Sequence, residues 1–158
     1  MTAPYQTDVM HLLARVRPAS LLSVGAHGRD FYADYLTGAH CEFLHLPVPE
    51  ALARLGALPR FNFALVSGLE SAAKTEAGTL IARLRDLHAD RFVVVTHHAA
   101  ANHWTTEELL AYGLYRVAEY ASARLALYEF DITHYKQTPD WLNDKYWANP
   151  DLFDKYRW

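Results

Sequence analysis

Five histidines and one glutamate follow apolar runs where chemistry could be placed: His27 after Leu21–Val24, His45 inside Phe43–Leu46, His97 and His98 after Phe92–Thr96, His103 a little beyond, and Glu70 after Phe61–Val66. Imidazole titrates near neutrality, so His97 or His98 oriented by a carboxylate such as Glu70 is a candidate general acid or base. Three imidazoles converging on one edge could take Zn²⁺ or another first-row metal, with His97, His98 and His103 as the candidate ligands. The spacing His97-His98-x4-His103 matches no established zinc pattern, and adjacent residues at a strand end point to opposite sides. The competing reading is therefore solvated histidines, no bound metal, and a Ser67-Gly68-Leu69-Glu70 turn that simply puts an acid near a helix N-terminus. That plainer reading is the one the spacing favours.

A second candidate site is the turn in Leu21-Leu22-Ser23-Val24-Gly25-Ala26-His27-Gly28-Arg29-Asp30-Phe31, where a buried strand runs into a glycine turn and a helix start. Nucleotide-binding α/β folds open this way, with glycines that let the backbone approach a phosphate or sugar. Gly25, His27, Gly28, His45, Ser67 and Gly68 are accordingly the candidate cofactor-binding residues. A bulky His27 stands where a glycine would normally serve.

The elements that must position these groups follow from apolar periodicity. Val9, Leu12, Leu13 and Val16 predict a helix with Thr7 and Asp8 at its start and Pro18 beyond its end. Leu21–Val24, Phe43–Leu46, Phe61–Val66 and Phe92–Thr96 predict four strands. The last is β-branched and continuous, as in strands buried on both faces. Between them lie Asp30–Leu36, an amphipathic piece opened by Pro49 and Glu50, and a helix carrying Leu80, Ile81, Leu84 and Leu87. Thr105 and Glu108 form a capping-box pattern, and Gly113 suits a helix stop. Tyr115–Ala121 and Arg124–Ile132 are joined too closely to be anything but antiparallel. The expected fold is α/β: a three-layer, doubly wound, mostly parallel sheet closed by a C-terminal antiparallel strand pair.

Composition bounds the rest. The chain has 158 residues, 51% apolar and 21% charged, enough for one compact domain. A net charge of -3 gives no reason to expect a nucleic-acid partner, and no run of about 18 apolar residues suggests a membrane span. The first residues lack the basic and apolar regions of a signal peptide. One cysteine, Cys41, excludes an internal disulfide. With no feature to lower its pKa, it reads as a structural thiol. A cytoplasmic location is the expectation.

From about Ala19 to Ile132 the order of elements resembles the class I S-adenosylmethionine-dependent methyltransferase fold. Leu21-Leu22-Ser23-Val24-Gly25 is similar to that family's first strand and glycine loop. Phe61–Val66 is similar to its central strand, and Glu108–Tyr115 to its late helix. The resemblance implies a Rossmann-like sheet and S-adenosylmethionine as the cofactor to consider. It also implies an acidic residue ending the second strand to hold the ribose hydroxyls, where this chain has His45, and an acid in the first strand, where it has Ser23. Only a helix fits between Leu46 and Phe61, one strand short of the family's sheet. The whole chain, ending included, is similar to a small bacterial family of uncharacterised methyltransferase-like proteins.

The ending is unusual in itself. Tyr135, Trp141, Tyr146, Trp147, Phe153, Tyr156 and Trp158 alternate with Lys136, Asp140, Asp144, Lys145, Asp151, Asp154, Lys155 and Arg157. That is not the composition of a disordered tail. Pro139-Asp140-Trp141-Leu142 and Asn149-Pro150-Asp151-Leu152-Phe153 resemble the starts of two short helices. Either the segment packs over the sheet or the terminal hairpin, or it forms an interface for a protein partner or a second copy.

The expectation is a single domain over 1–158, with a core over 19–132 and an aromatic extension over 133–158. Its expected function is a methyltransferase-like domain that has lost ordinary S-adenosylmethionine chemistry and serves as a binding or protein-interaction module. The alternative is a divergent enzyme working at the ends of the parallel strands, as a methyltransferase or through a histidine-bound metal.

Overall fold

The computed structural model describes residues 3–132, the side chain of Leu55 excepted. The C-terminal segment 133–158, and with it the two helix starts expected there, lies outside the described residues.

A six-stranded sheet runs in the order β2-β1-β3-β4-β6-β5, formed by β1 (Ser20–Val24), β2 (Glu42–Leu46), β3 (Phe61–Val66), β4 (Ala89–His97), β5 (Tyr115–Tyr120) and β6 (Leu125–Asp131). The first four are parallel, β6 is antiparallel to β4, and β5 is antiparallel to β6. The expected α/β sheet is therefore present. The terminal hairpin adds a detail that spacing does not carry: β6 inserts next to β4 and leaves β5 at the edge. Only α3 (Val48–Arg54) and a short turn (Leu55–Ala57) connect β2 to β3.

The helices are α1 (Gln6–Val16), α2 (Ala33–Leu36), α3, α4 (Lys74–Arg83) and α5 (Thr106–Ala111). The Thr105 side chain accepts from the Glu108 amide while Glu108 reaches back to the Thr105 amide, the capping box that the sequence predicts. At α1 the expected cap is displaced. The helix starts at Gln6 with Tyr5 as N-cap and no side-chain cap bond, because Tyr5 is committed to the core. Asp8 falls in the first turn, where it accepts a hydrogen bond from Tyr120 on β5. Arg17, in the left-handed conformation at φ 53°, ends α1 just before Pro18. The Asp30–Leu36 segment is a tight turn (Arg29–Tyr32) running into the single helical turn α2.

Side chains alternate across the strands, so the sheet carries two separate apolar layers. On one face Leu22, Val24, Ala64, Val66, Phe92, Val94, Tyr128 and Phe130 pack beneath α3, α4 and α5. On the other, Leu21, Phe63, Leu65, Val93, Val95, Leu125 and Leu127 pack, among the described residues, beneath α1, α2 and the turn that leads into α2. Phe63, Phe92, Phe130 and Tyr128 are fully buried, each contributing about 1.5–3 kcal/mol of apolar transfer energy. No helix among the described residues is long and apolar enough to cross a membrane.

Candidate functional site

Strand register brings the candidate residues to one edge. Val24 pairs with Leu46 and with Val66, and Val66 with Val94. The turns after β1, β2 and β3 therefore leave the sheet at one level, while β4 projects further, to His97. In open α/β sheets this carboxyl edge is where ligands bind.

The glycine turn after β1 is held closed by its own chain. The Gly25 amide donates to the Leu46 carbonyl at 2.8 Å, and the Ala26 amide to Ser67 Oγ at 3.1 Å. His45 Nε2 donates to the Gly25 carbonyl at 2.7 Å, and Ser23 Oγ donates to the His27 carbonyl at 2.5 Å. Behind Ser23, the buried Tyr32 hydroxyl donates to Ser23 Oγ at 2.8 Å. Burial holds the Tyr32 hydroxyl far above the usual phenol range, so it stays a donor. Ser23, which is buried, thus relays a hydrogen bond from Tyr32 into the turn.

His27 turns inward onto aromatic rings. Its ring stacks on Phe31 at 4.0 Å between centroids and meets the Tyr5 ring edge-on at 5.5 Å. The Tyr5 hydroxyl bonds His27 Nε2 at 2.5 Å. Burial raises the Tyr5 hydroxyl above its ordinary value, so the phenol stays protonated beside the imidazole. Burial first, and the neighbouring His45 second, lower the His27 pKa below its ordinary value. Gly28 faces His45 Nδ1, which stands 3.8 Å from where a Cβ on Gly28 would be.

The strand-end histidines are placed differently. The Glu70 carboxylate accepts the backbone amide of His97 at 2.7 Å, a tie between the turn after β3 and the end of β4. His97 and His98 are solvent-exposed, and the His98 amide donates to the Arg124 carbonyl. His103 Nδ1 bonds the Ala100 carbonyl at 3.1 Å. Among the described residues no group of three or more His, Cys, Asp or Glu side chains is gathered to hold a metal ion. Gly68, at φ 76°, supplies the left-handed corner that starts the Leu69–Ser71 turn. Cys41 sits before β2, where burial pushes its thiol up.

Sequence reasoning missed Tyr5, Phe31 and Tyr32 as partners of the turn. Their only signal was an aromatic content high for segments so near a glycine turn, and no periodicity names a partner 22 residues away.

A parallel 2-1-3-4 sheet closed by an antiparallel pair, with a glycine turn after β1, defines a methyltransferase-like α/β domain. Solved structures agree on the fold. The methyltransferase domain of bacterial CtHen1 is 12% identical with a TM-score of 0.57, covering 80% of this chain and 96% of that one. The N-methyltransferase NodS from Bradyrhizobium japonicum is 14% identical at TM-score 0.53, covering 80% and 96%. A TehB-like SAM-dependent methyltransferase from Corynebacterium glutamicum is 13% identical at TM-score 0.54, covering 82% and 88%. No curated protein matches the chain. The chain belongs to a family of unknown function, DUF6231, whose model matches residues 3–158.

Proposed function

We propose that this domain keeps the methyltransferase scaffold without ordinary S-adenosylmethionine chemistry and works as a binding or protein-interaction module. The observation that carries this reading is the engagement of four backbone groups of the turn by the chain itself. The Gly25 amide and carbonyl, the Ala26 amide and the His27 carbonyl are all bonded to protein atoms.

A carboxylate on the ribose hydroxyls makes charge-assisted bonds of about 1.5–3 kcal/mol each. In place of that carboxylate stands His45, which donates into the turn instead. Losing such bonds weakens binding by well over tenfold. The residues present do not fit the cofactor's usual contacts, and no reaction step is assigned to it.

The experiment is a thermal-shift and calorimetric titration of the full chain with S-adenosylmethionine and S-adenosylhomocysteine. A bound ligand at a hundredfold excess over Kd stabilises a fold by about 2.7 kcal/mol, a shift of several degrees for a domain this size. A flat profile with both compounds is expected. A saturable shift with either would return the domain to the methyltransferases.

A further inference from the structure

The sheet ends in β5 on one side and in β2 on the other, and the two edges are built differently. The ladder of β5 with β6 is interrupted by a bulge between Arg116 and Ala118, and Arg116 and Glu119 stand exposed on the strand. Bulges and charges are what keep an edge strand from pairing with another chain. β2 has no such interruption. Its pairing with β1 runs unbroken from Glu42 to Leu46, its one charged residue is Glu42 at the start, and Phe43, Leu44 and His45 in its middle are half-buried.

The pairing with β1 also fixes which backbone groups of β2 are unused. The Glu42 amide donates to the Ala19 carbonyl at 2.9 Å, and the Leu46 carbonyl accepts from the Gly25 amide at 2.8 Å, so Glu42, Leu44 and Leu46 turn their amides and carbonyls toward β1. The residues between them turn theirs the other way. The amides and carbonyls of Phe43 and His45 therefore point out of the sheet, and no group among the described residues bonds them.

We propose that β2 pairs antiparallel with β2 of a second copy of this chain, about a twofold axis at Leu44, and so joins the two sheets into one. This inference is independent of whether a cofactor binds at the glycine turn. With Leu44 opposite the partner's Leu44, Phe43 lies opposite the partner's His45, and His45 opposite the partner's Phe43. Each of those pairs exchanges both of its hydrogen bonds, so every outward amide and carbonyl of Phe43 and His45 is satisfied in both copies. Neighbouring registers do worse. An axis at His45 sets Phe43 against the partner's Pro47, a residue with no amide and with its carbonyl already bonded by the Ala51 amide. An axis at Phe43 sets His45 against the partner's Cys41, a position outside β2.

The side chains agree with a second copy as the occupant. A twofold axis perpendicular to the sheet keeps each side chain on its own face, so the two Leu44 side chains meet on the face of α3, in the close pairing where Cα atoms stand about 4.5 Å apart. On the other face each Phe43 ring meets an imidazole. The two Glu42 residues are about 14 Å apart along the strands, so no like charges are set opposite each other. A ladder of five residues belongs with the small interfaces, below about 1,200 Å² in total, that form weak and transient pairs. The dimer is therefore a reversible one.

Two solution measurements on the full chain test this. Sedimentation velocity from about 10 µM to about 1 mM, the span of weak pairs, reads the mass, and amide hydrogen exchange at the same concentrations reads the edge. The expected result is a dimer that grows with concentration, with exchange of the Phe43 and His45 amides slowed about tenfold where about nine-tenths of the chains are paired. In a Cys41→Ser background, Leu44→Cys is expected to give a disulfide-linked dimer under mild oxidation, and Glu42→Cys, with its two copies too far apart, is not. A monomer at every concentration with both amides exchanging fast overturns the proposal. A dimer in which both amides stay fast overturns it too, by placing self-association on another surface. So do amides that are already slow in the monomer, which means that the chain covers the edge itself. Equal cross-linking of the two cysteine variants overturns the twofold at Leu44.

Discussion

Gly25 and Ser67 meet at the carboxyl edge of β1 and β3 with no room between them. A Cβ added to Gly25 would collide with the Ser67 carbonyl oxygen and come within 2.6 Å of its hydroxyl, and Gly25 itself lies at φ 110°. Strain and collision act together, since an L side chain at such a φ costs about 1–3 kcal/mol before any contact is counted. Gly25→Ala is expected to destabilise the fold by about 3 kcal/mol or more in chemical denaturation. Ser67→Ala, which removes the bond from the Ala26 amide and the longer one to the Val24 carbonyl, is expected to cost about 1 kcal/mol. Equal effects would show that the close approach is relaxed in solution.

The bond from His45 to the Gly25 carbonyl makes two substitutions diverge. His45→Ala loses one hydrogen bond, about 1 kcal/mol. His45→Asp sets a carboxylate against a carbonyl oxygen and is expected to be the less stable of the two. Urea unfolding of both variants checks the order, and His45→Asp more stable than His45→Ala would mean that the turn reorients to donate.

His27 gives the domain a pH dependence of known sign. Its pKa lies below the ordinary 6.5 when folded, so below that value the unfolded chain binds more protons. Its contribution to stability is whole above about pH 6.5 and is lost as pH falls toward the folded value. Unfolding measured from about pH 7 to about pH 5 is expected to show stability falling with acidity, and less steeply in His27→Phe. Identical slopes in the two proteins would remove His27 as the cause.

Arg91 holds a nearly buried acid pair. It bonds Asp131 at 2.5 Å and approaches Glu129 at 3.7 Å, while Tyr115 donates to Glu129 at 2.6 Å and Glu129 is only 4% exposed. Removing one partner of a buried pair leaves a charge uncompensated, at about 3–5 kcal/mol. Arg91 retains some exposure, so Arg91→Met is expected at the low end of that range, with partial recovery in Arg91→Lys. A neutral Arg91→Met in calorimetry would mean that Tyr115 and solvent suffice for Glu129.

His88 poses the opposite case. It is 6% exposed and neither ring nitrogen has a hydrogen-bond partner among the described residues. A buried polar group without a partner is a net cost of about 1–3 kcal/mol, so His88→Leu is expected to hold or raise Tm by a few degrees. A fall of similar size would point to a bond that forms only in solution.

Local pattern was enough for much of this. The strands Leu21–Val24, Phe43–Leu46 and Phe61–Val66 match β1, β2 and β3 to within one residue, because apolar runs this short, bounded by turn residues, suit a strand better than a helix. The β-branched run Phe92–Thr96 likewise marks β4, although the strand extends to Ala89 and His97, where pairing with β3 and β6 adds residues that periodicity does not. Thr105 and Glu108 bond each other three residues apart, so their cap is written in the sequence. The site was legible as a place and not as a set of bonds.

Sequence by itself determined the parallel sheet, the glycine turn at its edge and the absence of an acid at His45, since each depends on neighbours within a few residues. Only the tertiary structure decided that His45 donates to Gly25, that Tyr5 reaches His27, that Glu70 is tied to the His97 amide, and that β6 inserts beside β4 to bury Glu129 against Arg91. Those choices join residues 20 or more positions apart. Their partners are selected by which apolar faces can be buried together, and that is a property of the packed sheet that no single segment carries.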